Sequence, residues 1–124
     1  MRNYFLVIAV GCLLAAPSLK PPTPAATKMT QIRIFTINRG KMDAFVDAWL
    51  KGVYPLRTKS GFKIERAWVV KEKNKFIWVL SYDGPEGFEA KDSAYYASEK
   101  RKILDPDPAQ YIADVEKYFI EAVR

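Results

Sequence analysis

Residues 81–108 read SYDGPEGFEAKDSAYYASEKRKILDPDP, and the order of residue types in this stretch decides the fold. Tyr82-Asp83 has the character of a strand end, and Gly84-Pro85 stops it. Asp83 or Gly84 is placed to cap a helix with Pro85 at its first position, where a missing amide has no partner to lose. Phe88, Tyr95 and either Tyr96 or Ala97 mark the buried side of that helix. Ser98 then opens a short helical turn carrying Arg101, with Glu99 near its positive end. Asp105-Pro106-Asp107-Pro108 closes the stretch. Two prolines and two carboxylates supply too few oxygen ligands for a hard cation, and the segment reads as a rigid connector.

Working upstream, residues 62–71 and 76–83 alternate as strands and are joined by Glu72-Lys73-Asn74-Lys75, which reads as a hairpin. One strand face presents Phe62, Ile64, Arg66, Trp68 and Val70, and its neighbour presents Phe76, Trp78, Leu80 and Tyr82. Ala67, Val69, Ile77 and Val79 fall on the alternate faces. Farther back, Met42, Phe45, Trp49, Val53 and Leu56 recur at spacings of three and four, the stripe of a helix opening at Lys41. Pro55 deprives that helix of an amide and predicts a kink or restart before Ser60-Gly61 ends it. Residues 31–37 set Ile32, Ile34 and Thr36 against Arg33, Phe35 and Ile37, so both faces of this strand are partly apolar. Residues 111–123 are ambiguous. Tyr111, Ala113, Val115 and Phe119 fit a strand with Lys117 as the exception, whereas Ile112, Val115, Phe119 and Ala122 fit a helix. The two strand-helix-strand halves have the loose symmetry of a ferredoxin-like fold.

Together with TQIRIFTINRGKMDAF (30–45), VYPLR (53–57) and GFKIERAWVV (61–70), the 81–108 stretch resembles the bacterial branch of the NIPSNAP-like proteins, in the dimeric α+β barrel superfamily. The likeness covers nearly everything after Met29. It implies an α+β, ferredoxin-like βαββαβ domain with a four-stranded antiparallel sheet, and a strand over most of 111–120. It also implies a homodimer in which two sheets pack face to face. The residues agree, because both strand faces are apolar while two helices cover one of them. Related barrels include cofactor-independent oxygenases that hold planar substrates against aromatic side chains, but fold alone does not carry that chemistry over.

The chain contains no histidine, which removes imidazole general bases, Ser-His and Cys-His pairs, and His-ligated haem, zinc or non-haem iron. Its single cysteine, Cys12, precedes the domain and builds neither a disulfide framework nor a thiolate cluster within one chain. Neither a metal nor a cofactor is expected. The chemistry left is that of carboxylate, tyrosine, lysine, arginine, serine and backbone amide. Apolar residues at 49% and charged residues at 27% describe one globular domain. A domain this small buries only about 60–65% of its unfolded surface, and association often completes such cores. Arg2, Lys20 and Lys28 supply three of the six net positive charges, so residues 29–124 carry only +3. The basic clusters at KEKNK (71–75) and at Lys100-Arg101-Lys102 are not interleaved with aromatics. A solvated face fits them better than a nucleic-acid platform.

Residues 1–28 form an apolar leader followed by a proline-rich linker. The apolar run 4–16 is shorter than the roughly 20 residues of a spanning helix, but it suits the core of a signal peptide. Ala9-Val10-Gly11-Cys12 resembles a lipoprotein box with alanine where leucine is usual. A translation start at Met29 is the competing reading and makes the protein cytoplasmic. With the leader, the protein is exported or lipid-anchored through residues 1–16. No membrane contact is expected of the 29–124 domain itself.

Few constellations can carry chemistry. Trp68 and Trp78, on adjacent strands, line one wall of a pocket or serve as core and interface residues. Tyr95 and Tyr96 point about 100° apart on a helix and cannot both be core. One hydroxyl therefore reaches a ligand or a carbonyl of the Asp-Pro loop. Arg101 offers its planar fork to a ligand carboxylate or to Asp105 or Asp107 of its own loop. Asp92, three and four residues before the tyrosines, is the candidate carboxylate base if burial raises its pKa, with Tyr96 as its catalytic partner. Two functions follow. One is the binding of a small apolar or aromatic metabolite between sheet and helices, with cofactor-independent oxygenase or isomerase chemistry as in related barrels. The other is a non-catalytic dimeric interaction module.

Overall fold

Four residues of β1 (Met29–Ile37), Gln31, Arg33, Phe35 and Ile37, alternate along one face and are all buried. This strand lies inside a four-stranded antiparallel sheet of order β2-β3-β1-β4, with β2 at Lys63–Val70, β3 at Lys75–Tyr82 and β4 at Ile112–Ile120. The computed structural model describes residues 27–124, and the readings of export, cleavage and Cys12 lipidation lie outside the described residues. Ferredoxin-like βαββαβ order is as expected, and residues 112–120 are strand rather than helix. Val115 faces Phe35 and Lys117 faces Arg33 across the ladder, so the cation that spoils the apolar alternation of β4 sits beside another cation on β1.

The first helical segment runs as α1 (Met42–Ala48), a π-helical turn (Trp49–Val53) and α2 (Tyr54–Lys59). Phe45, Trp49, Val53 and Arg57, each four apart, are buried along it, with Ala48 beside them. On a uniform α-helix a four-residue step overshoots one turn by about 40°. The wider turn takes up that overshoot just before Pro55, which has no amide to return. As a result Arg57 joins the core, and Leu56, expected in the stripe, is only partly buried at its edge.

A bulge between Ile64 and Arg66 changes which side of β2 faces the helices. Ile64 pairs with Leu80, but two residues follow before Ala67 pairs with Trp78 and Val69 with Phe76. Trp68 therefore opposes Ile77 and lies on the other side of the sheet from Trp78, correcting the shared face expected from simple alternation. The α3 helix (Phe88–Ala97) also starts later than Pro85 suggests. The Gly87 amide donates to the Gly84 carbonyl at 3.2 Å, and Gly87 at φ 85° makes the turn that precedes the helix. Ser98 caps α4 (Glu99–Lys102) as anticipated, its Oγ accepting from the Arg101 amide at 3.3 Å. Asp107 does the same for the 3-10 turn Pro108–Tyr111 through the Ala109 amide at 2.9 Å.

The helices cover one sheet face, where Phe35, Phe45, Trp49, Phe76, Trp78 and Phe62 form the centre of the core. The opposite face presents Ile32, Ile34, Ile77 and Val79 in its middle, with Trp68 and Tyr118 at 46% and 53% exposure beside them. Among the described residues, no helix is long and apolar enough to cross a membrane.

Candidate functional site

Arg57 is the keystone of the site, because a guanidinium with 1% of its side chain exposed needs both charge and hydrogen-bond partners. Its Nη1 donates to Asp92 Oδ1 at 2.6 Å. Its plane lies against aromatic rings, with Cζ 3.6 Å from the centroid of Tyr95 and 4.7 Å from that of Phe62. Arg33, fully buried on β1, donates through Nε to Gln31 Oε1 at 2.7 Å and through Nη1 to the Tyr96 hydroxyl at 3.0 Å. Its Nη2 stands 2.9 Å from the same Asp92 oxygen, an ion pair by distance without hydrogen-bond alignment. Two cations thus share one carboxylate oxygen.

These contacts set the protonation states. Burial pushes the Asp92 carboxyl up, but the Arg33 and Arg57 guanidiniums outweigh it and hold Asp92 below the ordinary carboxylate range. Burial, and then the like charge of Arg33, lower the pKa of Arg57. Burial raises the Tyr95 phenol. Arg101 Nη1 pairs with Asp107 Oδ2 at 3.1 Å, and this bond keeps the pKa of Arg101 above its usual value although burial opposes it.

Between sheet and helices lies a cavity of about 160 Å³. The rings of Trp49, Trp78, Tyr95 and Tyr96 form much of its wall, with Arg57, Arg101 and Lys117 as the charged members. The structure places Trp78, Tyr95 and Arg101, three of the four residues expected to bind a ligand, in one cavity wall together with Tyr96, the expected catalytic partner of Asp92. Asp92 stands immediately behind the wall through its bonds to Arg57 and Arg33. Trp68 belongs to the other sheet face and takes no part. Arg101 does pair with Asp107, as its own loop suggested. The tyrosine hydroxyls behave differently from expectation, for Tyr96 takes its bond from Arg33 rather than giving one to the Asp-Pro loop, and Tyr95 Oη has no partner. Arg33, Arg57 and Lys117 are the site residues that sequence patterning overlooked. Their signal was present as single cations in otherwise apolar strand and helix faces. Among the described residues, no group of three or more acidic, histidine or cysteine side chains is arranged to hold a metal.

The fold and this cavity define a ferredoxin-like α+β domain with a ligand-sized space on its helical side. Solved structures with this architecture include NIPSNAP family proteins. One is a NIPSNAP domain protein from Burkholderia xenovorans, at 16% identity and TM-score 0.67, covering 77% of this chain and 94% of that one. Another is a NIPSNAP family protein from Agrobacterium tumefaciens, at 10% identity and TM-score 0.70, covering 80% and 91%. An antibiotic biosynthesis monooxygenase-like protein from Nitrosomonas europaea matches at 11% identity and TM-score 0.59, covering 77% and 90%. At these identities the likeness is one of fold. No protein-family model matches the chain, and no curated protein matches it in sequence.

Proposed function

We propose that this chain binds a small, largely aromatic molecule in the cavity between sheet and helices, and that it works as a homodimer closed through its second sheet face. The observation that carries the reading is the cavity itself, at about 160 Å³ and lined by six aromatic side chains. A dry apolar space of ~150 Å³ is enough for a benzene ring, so one ring or a short acyl chain fits and a fused-ring system does not. Cofactor-independent oxygenase or isomerase chemistry would require Asp92 or Tyr96 to move a proton. Asp92 is already ionised and shared by two guanidiniums, which favours a positioning role: it fixes Arg57 and Arg33, and through Arg33 the Tyr96 hydroxyl. Binding is therefore the function assigned, and the fold neighbour of the monooxygenase type supplies the chemistry to look for if turnover is found.

Thermal shift tests this reading. A library of single-ring aromatics and short acyl compounds should contain a ligand that stabilises the wild type by about 2.7 kcal/mol when present at 100 times its dissociation constant. That is a rise on the order of 10 °C for a domain of this size. Val115 lies on the edge strand β4, is 44% exposed, and forms part of the cavity wall. Val115→Trp should fill the space and abolish the shift while leaving the fold intact. Absence of any hit across the library would favour the non-catalytic module.

A further inference from the structure

Resting on the cavity reading above, we infer that the molecule bound is an anion, a single-ring aromatic carboxylate whose charge is met by Arg101 and Arg57. Two independent observations lead there. The first is charge. The cavity wall carries Arg57, Arg101 and Lys117 and no carboxylate. Asp107 offsets Arg101, while Asp92 is divided between Arg33 and Arg57. One guanidinium charge is therefore left without a carboxylate beside the apolar wall, and the exposed Lys117 ammonium adds a second positive charge at its edge. Low dielectric strengthens the attraction of the buried guanidiniums for an opposite charge.

The second observation is hydrogen bonding. Trp49 Nε1, Trp78 Nε1, Arg57 Nε and Arg101 Nε are buried and lack an acceptor, and each belongs to a residue of the cavity wall. Indole and guanidinium nitrogens donate and never accept. Buried donors are nearly always paired in folded proteins, and these four sit within the wall rather than open to the cavity, so an acceptor-rich ligand would pair them as their side chains turn toward it. A carboxylate has two acceptor oxygens in the planar geometry that a guanidinium edge matches. The ring of the ligand would lie against the Tyr95, Tyr96 and tryptophan faces. A small inorganic anion would satisfy the donors but leave those faces without a partner. A neutral ring would do the reverse.

The test compares benzoate with benzamide, which has the same shape and no charge, by isothermal titration of the full chain at neutral pH. Benzoate should bind the wild type at least tenfold more tightly than benzamide. Arg101→Met keeps the apolar stem and removes the donors, so it should erase that preference while retaining benzamide affinity. Lys117→Gln, on the edge strand, should reduce the preference several-fold and serves if the Arg101 variant does not fold. Equal affinity for the two compounds in the wild type, or an unchanged preference in both variants, would overturn the anion and leave the aromatic cavity in place. Binding of neither compound at millimolar concentration would overturn both.

Discussion

Replacing Asp92 by alanine should destabilise the fold by about 3–5 kcal/mol, because it strands two buried guanidiniums without a counter-charge. Arg33 and Arg57 are both fully buried and both reach the same Asp92 oxygen. A guanidinium does not escape such a penalty by giving up its proton. Chemical denaturation should show the loss as a lower midpoint with an unchanged slope. Were Asp92 a solvated helix acid, the same substitution would cost less than about 0.5 kcal/mol. The pH dependence follows from the same contacts. The folded-state pKa of Asp92 is depressed, so its contribution is present above the unfolded value of about 4 and is lost as pH falls through the folded value. Wild-type stability should therefore drop below about pH 4, and Asp92→Asn, already weakened at neutral pH, should show a shallower drop.

The second large effect is expected at the uncovered sheet face. Ile77 and Val79 stand at its centre, flanked by Ile32 and Ile34 on β1, and among the described residues no helix packs there. Sheet-on-sheet packing of a second copy is the proposed cover, and a lysine at position 77 would place an unpaired charge in the middle of that interface. Light scattering at micromolar concentration should give the wild type twice the chain mass and Ile77→Lys the mass of a single chain, with the same far-ultraviolet circular dichroism. A monomeric wild type would refute the proposed dimer without touching the cavity, which faces the other way.

Much of the fold was legible because its signals are local. Periods of two and four, Ser98 before Glu99, and the Gly84-Pro85 stop after the strand each act within a few residues. The departures have equally physical causes. One extra residue in β2 moved Trp68 to the face opposite Trp78, and alternation cannot reveal a bulge without the partner strand. The π-helical turn carried Arg57 inward, and the strict fours of Phe45, Trp49, Val53 and Arg57 were its trace. Residues 112–120 were undecided from periodicity because an edge strand with Lys117 facing the cavity breaks the apolar pattern; pairing with β1 decides it. The site was half legible. Tyr95, Tyr96, Asp92 and Arg101 share a short stretch of chain and could be read together, whereas Arg33 and Arg57 join them only through the tertiary fold.

The chain has three tryptophans, and their positions allow the central claim to be tested in one titration. Trp49 and Trp78 belong to the cavity wall, and Trp68 lies on the other face of the sheet. Each gives a distinct indole N–H resonance in a nitrogen-15 correlation spectrum. Titration with benzoate should move the Trp49 and Trp78 indole signals together along one saturable curve and leave that of Trp68 in place. Movement of Trp68 alone, or of none of the three, would contradict a ligand site between sheet and helices.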